Sequence, residues 1–355
     1  MRKNVLLINN GYPSQRNPEY TSYIRSIEEC IIASGREVDK LVIRFERTAT
    51  PVYKLYKHIL FWFKCLTIRS TCDTIYVNHF PYACPLIFNP FMRKKRLIVH
   101  WHGGDLVVKS IPAVFTYFFL KRFINNSINI VPSGYFLTQL KKKYPSLKHK
   151  VYISPSGGVD TVLFSEHAKP HNDITIGFAS ALTPEKGADT LIYLIEHKHE
   201  IESATGRAVT FQVINYGNQA AYYIDRIQRA GTDSCRVLSR MNKTQMPAFY
   251  QKIDLLVFPS KRLGESLGLA ALEAMSCGVP VVAHNMCAFP EYIKPGVSGE
   301  LVELKTSETD QYRAYLDAVV KAINKIETYT PRQVVEDNYS QTSVISFYRN
   351  FFEGL

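Results

Sequence analysis

Short apolar runs recur along the chain with helix-length mixed segments between them. A first series falls at residues 5–8, 41–43, 74–77, 96–100, 128–132 and 151–154. A polar stretch at 165–173 interrupts it, and the alternation restarts at 174–178, 209–214, 236–238, 255–259 and 279–283. Brief β-branched runs separated by helical lengths predict βα units, and βα units imply parallel sheets. Two series predict two domains of this kind, at 1–168 and 172–337. A last amphipathic segment, 338–355, carries Val344, Phe347, Tyr348, Phe351 and Phe352 on one side. It is expected to fold back onto the first domain. Strand ends bear Gly, Ser, Pro and Asn, as at Asn9 to Gly11 and His102 to Asp105. In open parallel sheets those carboxyl ends line the ligand crevice.

Length agrees with two domains, since 355 residues exceed an ordinary single core. The start is apolar only over 5–8 before Asn9, Asn10 and Gly11, which fits a first strand rather than a signal peptide. No run approaches the ~18 apolar residues of a spanning helix. Seven scattered cysteines show no metal-ligand spacing and fit a reducing compartment. A cytoplasmic location is expected, extended to a peripheral position on the inner face of the membrane.

Charge changes the picture. Residues 1–170 hold 25 Lys and Arg against 10 Asp and Glu, so the excess lies wholly in the first half. Much of it is interleaved with aromatics: Lys54, Lys57, Phe61, Trp62, Phe63 and Lys64; Phe91 and Arg93 to Arg96; Phe118, Phe119, Lys121, Arg122 and Phe123. Such faces suit an anionic membrane surface, although any one of them also reads as a helix with a solvated basic side. No nucleic-acid-binding signature accompanies the charge, and no nucleic-acid partner is expected.

The richest stretch for chemistry runs from Phe258 to Val282. A strand enters a loop with Gly264 and Glu265, and a helix starting near Ser266 to Gly268 carries Glu273 before Gly278 and Pro280 end it. Small residues at a helix start leave backbone N–H groups open to phosphate. Eight residues of helix rise about 12 Å, which places Glu265 and Glu273 on one groove, where each carboxylate accepts hydrogen bonds from adjacent hydroxyls. Spacing alone fits equally well an acidic helix start and a surface charge.

This stretch resembles the signature of retaining GT-B glycosyltransferases of the family four group (glycosyl transferases group 1), a Glu-x7-Glu pair before a Cys-Gly-Val-Pro-Val-Val run. Further likenesses follow the same order: His102-Gly-Gly-Asp, Ser156-Gly-Gly-Val-Asp, Leu182-Thr-Pro-Glu-Lys-Gly, and the turn with Pro290, Glu291, Gly296 and Gly299. The resemblance implies two Rossmann-like domains with parallel sheets facing a central cleft. The first would bind acceptor and the second nucleotide sugar. It implies Glu273 toward ribose, Lys186 toward diphosphate, Glu265 toward the donor hexose, and the backbone of Leu267, Gly268 and Leu269 toward phosphate and sugar. Gly11 and Arg240 join the donor site, and His102 points at the donor sugar, although a histidine there also reads as a core residue. Two departures stand out. Ala181 replaces the usual arginine of the Lys186 loop, with Arg262 or Lys261 as candidate substitutes, and Tyr20 and Thr21 stand where glycine is common in the first loop.

The implied activity is metal-independent, retaining hexosyl transfer to a glycan or lipid-linked acceptor in surface polysaccharide or glycolipid synthesis. A UDP-sugar is favoured over GDP- or ADP-sugars, and no cofactor or metal is expected. A sugar-nucleotide epimerase and a non-catalytic nucleotide-sugar-binding scaffold are the alternatives.

Overall fold

The computed structural model describes residues 4–18, 20–46, 48–92, 94–107, 120–167, 172–231 and 234–355. The chain divides into two compact units, Met1–Gly158 with Gln341–Leu355, and Val159–Ser340. Of the residues singled out in the sequence, Arg93, Phe118 and Phe119 lie outside the described residues.

In the first unit six strands, β1 (Val5–Tyr12), β2 (Val38–Arg44), β3 (Thr74–Asn78), β4 (Arg96–His100), β5 (Ile128–Val131) and β6 (Val151–Ile153), lie in the order β2-β1-β3-β4-β5-β6. Every pairing is parallel. Alternation on β1 sends Leu6 and Ile8 to one face and Val5 and Leu7 to the other, and both faces are buried. The second face is covered by the helices Ser22–Ala33 and Gln341–Glu353, the latter burying Val344, Tyr348, Phe351 and Phe352. A bond of 2.6 Å between the hydroxyls of Tyr76 on β3 and Tyr348 pins that terminal helix.

The second unit has β7 (Ile174–Phe178), β8 (Val209–Asn215), β9 (Cys235–Ser239), β10 (Leu255–Phe258), β11 (Val281–His284) and β12 (Gly299–Val302) in the order β12-β11-β10-β7-β8-β9. Read from β9, this is the doubly wound Rossmann order. The order reverses between β7 and β10, and the crevice beyond a parallel sheet at such a reversal is where ligands bind. In the first unit the reversal lies between β1 and β3.

Three expectations need correction. The second unit begins at Val159, ahead of the polar stretch at 165–173, because Phe164 is buried against Tyr250 and the Val159 N–H donates to Tyr339 at 2.8 Å. Residues 168–171 of that stretch lie outside the described residues. β12 adds a sixth strand that the apolar pattern hides. It opens on Gly299, whose added Cβ would stand 1.9 Å from the Val281 carbonyl, and it buries Glu300 through Lys321 and Tyr329. Finally, the helix after β10 spans Leu269–Ser276 and excludes Glu265. Gly268 at φ 65° interrupts the backbone, so the two glutamates are not joined by eight residues of helix.

Candidate functional site

The loops after β7 and β10 meet at the reversal of the second sheet. The first carries Lys186 at the end of a short 3-10 turn, Pro184–Lys186. Gly187 follows at φ 79°, packed so closely that a Cβ would lie 2.3 Å from the Pro259 carbonyl. That approach requires glycine on two counts, conformation and space. It also delivers Lys186 to the second loop, where its ammonium donates to Glu265 Oε2. Ser260 donates to the same oxygen at 3.1 Å. Both members of the ion pair retain some solvent, at 16% and 13% exposure, enough for a ligand to compete for them.

Past Glu265 the chain passes through buried Leu267, whose carbonyl accepts from Tyr292 at 2.5 Å, and through Gly268 into the helix Leu269–Ser276. Its N-cap is Gly268, which has no side chain to cap the helix start. Its first N–H groups carry partial positive charge toward whatever lies before them. Glu273, on the helix, accepts from the Tyr250 hydroxyl at 3.1 Å. It keeps partial exposure, yet burial pushes its pKa up to about 7, against the opposing influence of the Lys243 charge and the Tyr250 hydrogen bond. Glu273 therefore titrates near neutrality, and hydroxyl donors from a ligand would favour its ionised form.

The other cations that the sequence singles out in this unit take separate partners. Arg240, just after β9, lies over the Tyr216 ring at 5.8 Å. Lys261 extends over Tyr312 at 5.6 Å. The exposed Arg262 accepts at its carbonyl from the Glu265 N–H at 3.0 Å, which ties its backbone to the carboxylate loop.

In the first unit the reversal gathers a cluster that sequence reasoning found only in part. His102, two residues past β4, is buried; its N–H donates to Asp105 Oδ1 at 2.9 Å and its Nε2 lies 2.8 Å from Asn78 Oδ1. With that oxygen as acceptor, Nε2 carries the proton. The buried Nδ1 is then a lone pair without a partner among the described residues. Burial holds the ring neutral by driving its pKa well below the usual histidine value, with His100 and His79 acting in the same direction. His102 packs between those two rings, at centroid distances of 4.4 and 4.8 Å.

His79 was missed. It follows β3 as His102 follows β4, and position after a strand's carboxyl end was the available signal. Its backbone adopts φ 49°, costly for a residue with a Cβ, and its Nε2 lies 2.6 Å from the Tyr23 hydroxyl while Nδ1 faces Asp105 at 3.5 Å. The third ring, His100, meets Tyr76 at 2.7 Å. The ring nitrogens thus turn to different partners, and among the described residues no group of three could hold a metal. Gly11, at the end of β1, is buried beneath Tyr20, where a Cβ would come within 2.8 Å of the ring.

A double arrangement of this kind is the GT-B fold, and solved structures of that fold superpose on the chain. Sucrose-phosphate synthase from Thermosynechococcus elongatus aligns over all of both chains with a TM-score of 0.73 at 17% identity. HepE of Anabaena, in complex with UDP and glucose, aligns over all of both chains at 0.65 and 16%. By sequence, residues 160–329 match the family "Glycosyl transferases group 1". An uncharacterized glycosyltransferase of Methanocaldococcus jannaschii is 26% identical over 252 residues, covering 70% of this chain and 65% of the relative. A GDP-mannose-dependent alpha-(1-6)-phosphatidylinositol monomannoside mannosyltransferase of Mycolicibacterium smegmatis is 26% identical over 342 residues, covering 84% and 85%. The chain spans less than two thirds of the length of the first of these relatives.

Proposed function

We propose that the protein transfers a hexose from a nucleoside diphosphate sugar to a glycan or lipid-linked acceptor with retention of anomeric configuration. The observation that carries this reading is the Lys186–Glu265 pair at the strand-order reversal of the second unit, with the uncapped helix Leu269–Ser276 beginning four residues on. Departure of a nucleoside diphosphate builds negative charge on phosphate. Fixed donors meet that charge most effectively, because they need no reorganisation as the bond breaks.

In this reading Lys186 and the N–H groups of Leu269 and its neighbours receive the diphosphate, with Leu267 and Gly268 shaping the approach. Glu265 accepts from hexose hydroxyls, which draws Lys186 off the carboxylate and toward phosphate. Glu273 accepts from the ribose hydroxyls, and Arg240 borders the nucleobase. Arg262 supplies the charge that Ala181 does not. The Nδ1 lone pair of His102 accepts from a sugar hydroxyl, a role that fits a neutral ring and not a charged one. No step requires a metal ion. A UDP-sugar is the favoured donor; HepE, a structural relative, was solved with UDP and glucose.

The test is incubation with UDP-, GDP- and ADP-hexoses together with a bacterial membrane-lipid and glycan extract, followed by NMR of the product linkage. Transfer with an axial donor linkage kept axial supports the reading. Accumulation of an epimerised sugar nucleotide would assign the site to epimerisation. Binding without either product would leave a scaffold.

A further inference from the structure

The helix Pro51–Thr67 inverts the ordinary arrangement of a surface helix. Thr50 caps it, accepting from the Tyr53 N–H at 3.3 Å, and Pro51 opens it. Only Phe61 and Cys65 are buried, which corrects the sequence-based placing of Phe61 on an outward aromatic face. On a projection at about 100° per residue, Val52, Tyr56, Ile59, Phe63 and Leu66 cluster opposite that buried line. All five are exposed, Val52 at 78% and Phe63 at 63%. Lys54, Lys57 and Lys64 fall on the half turned toward the protein. Soluble proteins place such residues the other way round.

Further exposed aromatics lie near the C-terminal end of the helix. Asn89 donates to the Cys65 and Ile68 carbonyls at 3.0 and 2.9 Å, which holds exposed Phe88 and Phe91 alongside. Trp62 is fixed by its Nε1 donating to the Tyr82 carbonyl at 2.8 Å, and Arg69 covers the Phe91 ring at 4.3 Å. Over residues 47–104 the sequence has nine Lys and Arg and a single acid, Asp73.

We propose that this helix docks on an anionic lipid bilayer, with the Val52–Leu66 stripe, Phe88 and Phe91 entering the acyl region and the flanking lysines at the level of the lipid phosphates. The geometry has the depth order that insertion needs, apolar outermost and cations behind. A second copy of the chain is a poorer occupant, because a twofold contact sets this basic segment against itself. The inference deepens the reading of the acceptor as lipid-linked, and its readout is separate from donor binding.

The experiment is flotation of the full chain with phosphatidylcholine vesicles and with vesicles of phosphatidylcholine and phosphatidylglycerol. Wild type, Ile59→Ser/Phe63→Ser and Lys54→Gln/Lys57→Gln/Lys64→Gln are compared, each with a size measurement in solution and a nucleotide-induced thermal shift. The expected result is flotation with the anionic vesicles, a loss of at least tenfold in the serine variant, and a weaker, less salt-sensitive interaction in the glutamine variant. All three should keep the same nucleotide response, since every substituted side chain is exposed or on the helix flank. Flotation with neither vesicle, or unchanged flotation of the serine variant, would overturn the proposal. So would a wild-type dimer that the serine variant converts to monomer. Flotation without any nucleotide response would leave the docking standing and sink the donor reading instead.

Discussion

Glu273 is the residue whose environment makes the sharpest statement. A carboxyl with its pKa raised to about 7 stabilises the fold fully below its ordinary value near 4.5, and that contribution is lost as pH rises through 7. Glu273→Gln should therefore stabilise the protein at pH 8, by up to about 2 kcal/mol after allowing for residual solvent, and change little at pH 5. Thermal melts at the two pH values check this. The same variant should bind nucleotide roughly 10- to 100-fold more weakly at pH 8, the worth of hydrogen bonds to a charged acceptor. Wild-type affinity should rise between pH 6 and 8 as the carboxyl ionises, whereas the variant's should stay flat. Lys186→Met should lower kcat by about 10²- to 10³-fold while donor binding weakens less, because its charge counts most as the diphosphate departs. A fall in affinity with kcat intact would contradict that role.

At the scale of elements, the loops after β7 and β10 depend on one close approach. Gly187→Ala adds a Cβ at φ 79° into the Pro259 backbone, and neither side can give way cheaply. A loss of about 2 to 4 kcal/mol is expected from strain and overlap together, with activity falling in step because the loop no longer holds Lys186 beside the β10 loop. An unchanged melting midpoint would show that the two loops are not coupled as described. The strands were legible in the sequence wherever apolar residues ran together, as at Ile174–Phe178 and Arg96–His100. β12 was not, since a glycine against backbone and a buried, paired glutamate look like turn and surface when read along the chain. The Lys186–Glu265 contact was also out of reach. It joins residues 79 apart, through a glycine whose purpose shows only in three dimensions. His79 differs in that its position after β3 was visible, but nothing in composition marked it above other histidines.

For the whole molecule, the two units place their chain reversals at different points in the strand order, between β1 and β3 in one and β7 and β10 in the other. Each reversal carries its own polar cluster, one rich in histidine, the other built on the Lys186–Glu265 ion pair and helix-backed. The central claim is that the second cluster binds a sugar nucleotide through Glu273. The most direct measurement is a thermal-shift panel of UDP, GDP, ADP and their hexose conjugates on wild type and Glu273→Ala. A ligand at a hundred times its Kd adds about 2.7 kcal/mol, enough for a midpoint rise of a few degrees in wild type with one nucleotide, and that rise should vanish in the variant. No rise with any nucleotide, or an equal rise in both proteins, would contradict the account.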